Sequence, residues 1–176
     1  CPAVFDVFWR ALKARLAKVP PKATLNPLPA LNAGYEGKVD SFDVRVDCVD
    51  GIPVSGYYAR PAKAAPKSCP ALLSMQGAGV RSSSRMDGRA SAGLIAMDIN
   101  AHGIDNGKPA AFYNELANGA LKDYRARGND NRELSYFNGM FLRVLRALEF
   151  LKAQPEWDGK NLIMWGGSQG GAQSIV

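Results

Sequence analysis

The sequence predicts an α/β fold with a mostly parallel sheet, and three observations carry that prediction. Short apolar runs at residues 71–75 and 94–98 have the length and bounding turn residues of buried parallel strands, and the apolar run 162–165 reads as the last strand. Segments of helical period lie between and around them, the pattern that requires crossover connections between parallel strands. The last run, Leu162-Ile163-Met164-Trp165, breaks directly into Gly166-Gly167-Ser168-Gln169-Gly170-Gly171. This G-x-S-x-G pattern after a strand is the signature of a sharp strand-to-helix turn that holds a serine hydroxyl exposed at the carboxyl edge of a sheet.

Each element follows in chain order. Residues 4–18 place Phe5, Phe8, Trp9, Leu12 and Leu16 on one stripe and Arg10, Lys13, Arg15 and Lys18 elsewhere, which predicts an amphipathic helix ended by Pro20 and Pro21. The Pro-rich stretch that follows, to about Pro29, reads as an extended surface connection. Phe42, Val44, Val46 and Cys48 alternate with Ser41, Asp43, Arg45 and Asp47, and Asp50-Gly51 offers a turn before a second strand at residues 54–59. This predicts an antiparallel hairpin ahead of the parallel strands. A short helix is expected within residues 82–93. Another is expected at 138–153, with Phe141, Val144, Leu145, Leu148 and Leu151 inward and Arg143, Arg146, Glu149 and Lys152 on the opposite side. The serine turn assigns the whole to an α/β-hydrolase fold, truncated after the nucleophile elbow. Residues 1–176 are then the N-terminal part of a single such domain, with residues 1–40 forming its leading helix and extended segment.

Composition excludes several classes. The 47% apolar content suits one globular domain. No apolar run approaches the length of a membrane span. The 22 Lys and Arg against 16 Asp and Glu give a net charge of +6, but the basic residues are scattered without interleaved aromatics, so a nucleic-acid partner is not expected. Cys1, Cys48 and Cys69 are odd in number and lack metal-ligand spacing, so neither a disulfide framework nor a metal is expected. A start at Cys1 instead of Met allows for a removed targeting segment, and a periplasmic or secreted location is favoured over a cytoplasmic one. Cys1 as a lipid acceptor is the minor reading, because Pro2 to Phe5 run straight into the helical pattern.

In an α/β-hydrolase the catalytic residues follow in the order Ser, Asp or Glu, His. Ser168 lies eight residues from the end of the sequence, and the single histidine, His102, precedes it. The Asp and His of the triad are therefore expected outside this chain. A covering segment or second polypeptide carrying them is expected against the strand at 162–165, and residues 1–176 alone are expected to be inactive and not independently stable.

The other glycine-rich turn is Gly77-Ala78-Gly79-Val80-Arg81-Ser82. It has two readings. As G-x-G-x-x-S after a strand, with Asp98 ending the next, it nears a dinucleotide fingerprint and a nicotinamide-dependent oxidoreductase. Against this stand Ser82 in place of the third glycine, the short helix and the preceding hairpin. In a hydrolase the same loop brings a backbone N–H to the developing oxyanion, and small residues permit the approach. His102 reads as loop structure or pocket lining, with the catalytic-base role disfavoured. Phe112, Tyr113, Tyr124, Tyr136 and Phe137 read as pocket cover or as buried packing.

Taken together, the chain resembles the acetyl xylan esterase and cephalosporin C deacetylase family, carbohydrate esterase family seven. The resemblance covers most of its length. Pro2-Ala3-Val4-Phe5-Asp6-Val7-Phe8-Trp9 is similar to the family's P-x-x-F-D-x-F-W opening. Asp50-Gly51 and Gly56-Tyr57-Tyr58 stand where its hairpin is expected, and Gly166-Gly167-Ser168-Gln169-Gly170-Gly171 matches its G-G-S-Q-G-G. The resemblance implies a serine carboxylesterase acting on acetyl esters of sugars or xylo-oligosaccharides, without a cofactor. It implies Ser168 as nucleophile and the backbone amides of Ala78 and Gln169 as oxyanion donors. Two positions depart from the pattern: H-G-Y is Gln76-Gly77-Ala78 here, and R-G-Q is Ala101-His102-Gly103. The first removes a tyrosine side chain from the acetyl pocket. The second removes an Arg tied to loop anchoring and to the family's ring-shaped homo-oligomers. A non-catalytic hydrolase-like binding protein is the alternative from a different class.

Overall fold

A computed structural model describes residues 3–175. The expectations at Cys1 and Pro2 lie outside the described residues. Helix α1 (Ala3–Ala17) forms where the apolar stripe predicts it and buries Leu12 and Leu16. It is followed by β1 (Ala23–Leu28), β2 (Val39–Val46), β3 (Val54–Pro61), β4 (Cys69–Met75), α2 (Asp87–Ser91) and β5 (Ile95–Ile99). Then come α3 (Ala110–Asn118), α4 (Tyr136–Lys152), β6 (Trp157–Gly166) and α5 (Gln169–Gln173). The six strands form one sheet in the order β1-β2-β3-β5-β4-β6. Strands β5, β4 and β6 run parallel, while β1 pairs antiparallel with β2, β2 with β3 and β3 with β5.

The hairpin thus gains a third strand. The stretch expected as a surface connection is extended, but β1 pairs along its whole length with β2, Pro27 opposite Phe42. A proline is tolerated because β1 is an edge strand whose outer N–H groups need no partner.

Alternation along the parallel strands divides the sheet's two faces. Ala71, Leu73, Met75, Met97 and Ile99 pack with Val144, Ala147, Phe150 and Leu151 of α4. Leu72, Ser74 and Asp98 face the other side with Trp165, toward Met86 at the N-cap of α2 and Arg89 within it. On the edge strand β6, Ile163 and Trp165 are 43% and 63% exposed.

Helix α4 departs from its expected polar side. Arg143 and Arg146 are buried, because each supplies a donor where the backbone lacks one. Arg146 donates to the carbonyls of Leu16 (2.8 Å) and Val19 (2.6 Å), capping the end of α1. Arg143 donates to the Ala101 carbonyl at 2.6 and 3.2 Å. The segment before α2 is likewise not helical as far back as residue 82. Its N–H groups go to side chains instead: Ser83 to Asn106 Oδ1 (2.8 Å) and Ser84 to Asp98 Oδ2 (2.8 Å).

Cys48 and Cys69 are buried free thiols. Among the described residues no group of His, Cys, Asp or Glu could hold a metal ion, and no helix is long and apolar enough to cross a membrane.

Candidate active site

The turn from β6 into α5 places Ser168 at φ 53°, ψ −121°. A non-glycine residue with positive φ is uncommon and costs on the order of 1–3 kcal/mol, which the surrounding packing must sustain. Ser168 is solvent-exposed, and the residues after it turn immediately into the protein. The two motif glycines explain how. A Cβ on Gly166 would sit 2.4 Å from the Gly170 carbonyl group, and one on Gly170 would sit 2.2 Å from the Met75 carbonyl oxygen. The turn closes only because both positions lack a side chain. Gly167, by contrast, has open space where its Cβ would be. Gly170→Ala should therefore destabilise the protein by about 3 kcal/mol or more, whereas Gly167→Ala should lie within about 0.5 kcal/mol of the parent. Denaturant unfolding of the two variants checks the contrast; equal effects would refute it.

The loop after β4 lies against this turn. A Cβ on Gly77 would stand 3.5 Å from the Gly167 carbonyl oxygen and 3.9 Å from Ser168 Cβ. Ser168, the Ala78 peptide and Gln169 are thus brought together at the carboxyl ends of β4 and β6. Neither the Ala78 N–H nor the Gln169 N–H donates to an acceptor among the described residues. Ala78 is exposed and borders an open cleft of about 410 Å³ shared with Gly79, Leu121, Lys122 and Tyr124.

His102 lies beneath this loop, buried at 4% exposure. Its Nε2 is 3.0 Å from the Gly79 carbonyl, which can only accept, so Nε2 carries the proton. Its Nδ1 then accepts from the Tyr136 hydroxyl at 2.9 Å. With both ring nitrogens engaged, His102 is a structural element of the loop. Asn100 and Arg143 hold the turn around it: Asn100 Oδ1 accepts from the N–H groups of His102 (3.2 Å) and Ile104 (3.1 Å), and Arg143 binds the Ala101 carbonyl. Loop anchoring is therefore kept, by other residues, where the R-G-Q pattern is lost.

The family model for acetyl xylan esterase (AXE1) matches residues 1–176. This chain belongs to the acetyl xylan esterase family. It is 28% identical over 183 residues to acetyl esterase Axe7A of Xylanibacter ruminicola, covering 99% of this chain and 40% of that protein. Among solved structures it is similar to the acetyl xylan esterase from Paenibacillus sp. R4, with a TM-score of 0.79 and 26% identity over 97% of this chain and 54% of that one. Acetyl xylan esterase 1 from Thermoanaerobacterium sp. JW/SL YS485 shares the fold, with a TM-score of 0.72 and 22% identity over 99% of this chain and 54% of that one. The chain thus spans about half the length of the relatives it matches. The mixed sheet with flanking helices is the α/β-hydrolase fold of these esterases.

Within this family framework, Tyr124 and Tyr136 are the site residues whose individual parts the sequence does not reveal. Tyr124 packs edge-on against His102 at 4.6 Å between centroids, and its hydroxyl joins Gly79 to Gln169. Asp98, the acid of the dinucleotide reading, is buried and accepts on one oxygen from Gln76 Nε2 (2.9 Å) and the Ser84 N–H (2.8 Å). It pins the start of the loop and does not present that oxygen to a ribose.

The buried histidine makes stability depend on pH. Burial pushes His102 from its ordinary value near 6.5 down to about 4, reinforced by the nearby Arg143 charge and opposed by the bond to Gly79. Between those values the unfolded chain binds a proton that the folded one refuses, so stability rises with pH across this window. The contribution is fully present above 6.5 and is lost as pH falls through about 4, a difference of about 3 kcal/mol. Burial raises Asp98, which acts in the opposite sense in the carboxylate range. The measurement is thus a difference: His102→Gln should flatten unfolding free energy against pH between 7 and 4. An unchanged slope would contradict this account of His102.

Proposed function

We propose that the protein is a serine carboxylesterase that removes acetyl groups from acetylated sugars or xylo-oligosaccharides. The observation that carries this reading is the exposed Ser168 at positive φ beside the Gly77-Ala78-Gly79 loop. Ser168 Oγ attacks the acetyl carbonyl carbon, and the Ala78 and Gln169 amides receive the charge that develops on the carbonyl oxygen. Collapse of the tetrahedral species expels the sugar hydroxyl and leaves an acetyl-serine, which water then hydrolyses. No cofactor takes part.

A histidine must accept the Ser168 proton and return it to the leaving oxygen. The single histidine of this chain is committed to Gly79 and Tyr136. The family's relatives extend over roughly twice this length. Both facts support a histidine–carboxylate pair supplied from outside these residues, on a segment that covers the open edge of β6. Acetate release from acetylated xylo-oligosaccharide and from an aryl acetate by the complete protein tests the proposal. Thermal protection by a dinucleotide without acetate release would favour the oxidoreductase instead, and no turnover of any acetyl ester would leave a binding protein.

A further inference from the structure

The loop that offers the Ala78 N–H is held peptide by peptide by side chains. Arg81 Nη2 donates to the Gly77 carbonyl at 2.9 Å and to the Ala78 carbonyl at 2.6 Å. The Gly79 N–H donates to the Tyr124 hydroxyl at 3.1 Å, and the Gly79 carbonyl accepts from His102. There are no cis peptide bonds among the described residues, so the Gly77 carbonyl and the Ala78 N–H point in opposite directions. By drawing the carbonyl to one side, Arg81 turns the Ala78 N–H to the other. Gly79 completes the turn at φ +138°, a backbone conformation that L side chains rarely adopt.

The second arm is tied to the first. Having accepted from Gly79, the Tyr124 hydroxyl donates to Gln169 Oε1 at 2.8 Å. Gln169 is buried, and its backbone N–H is the other amide of the pair. One buried hydroxyl therefore joins the residue after Ala78 to Gln169 itself, across 45 residues of sequence on either side. The catalytic requirement is that two donors keep a fixed separation around one oxygen, and a shift of a few tenths of an ångström in either arm weakens both bonds.

We propose that Tyr124 and Arg81 are positioning residues of the oxyanion hole, Tyr124 setting the distance between the Ala78 and Gln169 amides and Arg81 setting the direction of the Ala78 N–H. The inference rests on the reading of those amides as oxyanion donors. It assigns the Gln169 side chain a part as well, that of acceptor for the Tyr124 hydroxyl.

Tyr124→Phe in the complete protein removes the hydroxyl and keeps the ring against His102. The expected result is a fall in kcat for an aryl acetate of about ten- to a hundredfold, with KM within about twofold. Affinity for an aryl trifluoromethyl ketone, whose serine adduct carries the oxyanion, should fall by the same factor as kcat/KM. Gln169→Ala should give a similar loss, and the double variant should lose no more than the worse single one, because both delete the same tie. Arg81→Met, a change on an exposed side chain, should lower kcat without lowering Tm. An unchanged kcat in Tyr124→Phe, or losses that multiply in the double variant, would overturn the proposal. Ser168→Ala run alongside separates the two levels. If turnover survives in Ser168→Ala the oxyanion reading itself fails, whereas its loss there with Tyr124→Phe fully active removes the tie alone.

Discussion

Replacement of Ser168 by alanine in the complete protein is expected to lower kcat on acetyl esters by roughly four to six orders of magnitude, leaving KM little changed. The size follows from what is removed. The hydroxyl is the nucleophile of the proposed covalent step, and the proposed oxyanion amides that remain supply only a small residual rate. The fold should not suffer. Ser168 is exposed, its side chain caps no helix and the elbow is closed by Gly166 and Gly170. Relief of strain does not enter, since alanine at φ 53° is as unfavourable as serine. Near-normal hydrolysis of an aryl acetate by a folded Ser168→Ala variant would remove the nucleophile assignment.

The second large effect is expected at Ala78. Ala78→Pro deletes one of the two N–H donors of the proposed oxyanion hole, and loss of one such donor costs about a hundredfold to a thousandfold in kcat. Gln169→Ala keeps its N–H and loses only the link to Tyr124, so its loss should be smaller, about ten- to a hundredfold. The ordering is the test. A Gln169→Ala variant more damaged than Ala78→Pro would place the oxyanion elsewhere.

Where rules are local and steric, the turn that presents Ser168 was legible. The G-x-S-x-G spacing demands glycine two residues before and after the serine, and Gly166 and Gly170 each lie against backbone that a Cβ would strike. The buried parallel strands β4 and β5 were legible for a similar reason, since an apolar run of five residues has few other uses. Strand β1 was not. Its residues are mostly exposed and include Pro27, so nothing in their own alternation marks a strand, and its pairing comes from β2. Arg143 and Arg146 misled because a charge on a helix usually faces water, and only the arrival of the Leu16, Val19 and Ala101 carbonyls makes burial favourable. The Gly79–Tyr124–Gln169 connection is a purely tertiary one. No periodicity or motif relates residues that far apart in sequence, and a tyrosine in a turn before α4 reads equally well as packing.

Covalent labelling of the complete protein with a fluorophosphonate tests directly the proposal that Ser168 is an activated nucleophile. Intact-mass analysis and peptide mapping should find one adduct, on Ser168, formed with loss of acetyl ester turnover and absent from Ser168→Ala. Full inactivation with the label on another residue, or an active enzyme that resists the reagent, would contradict it.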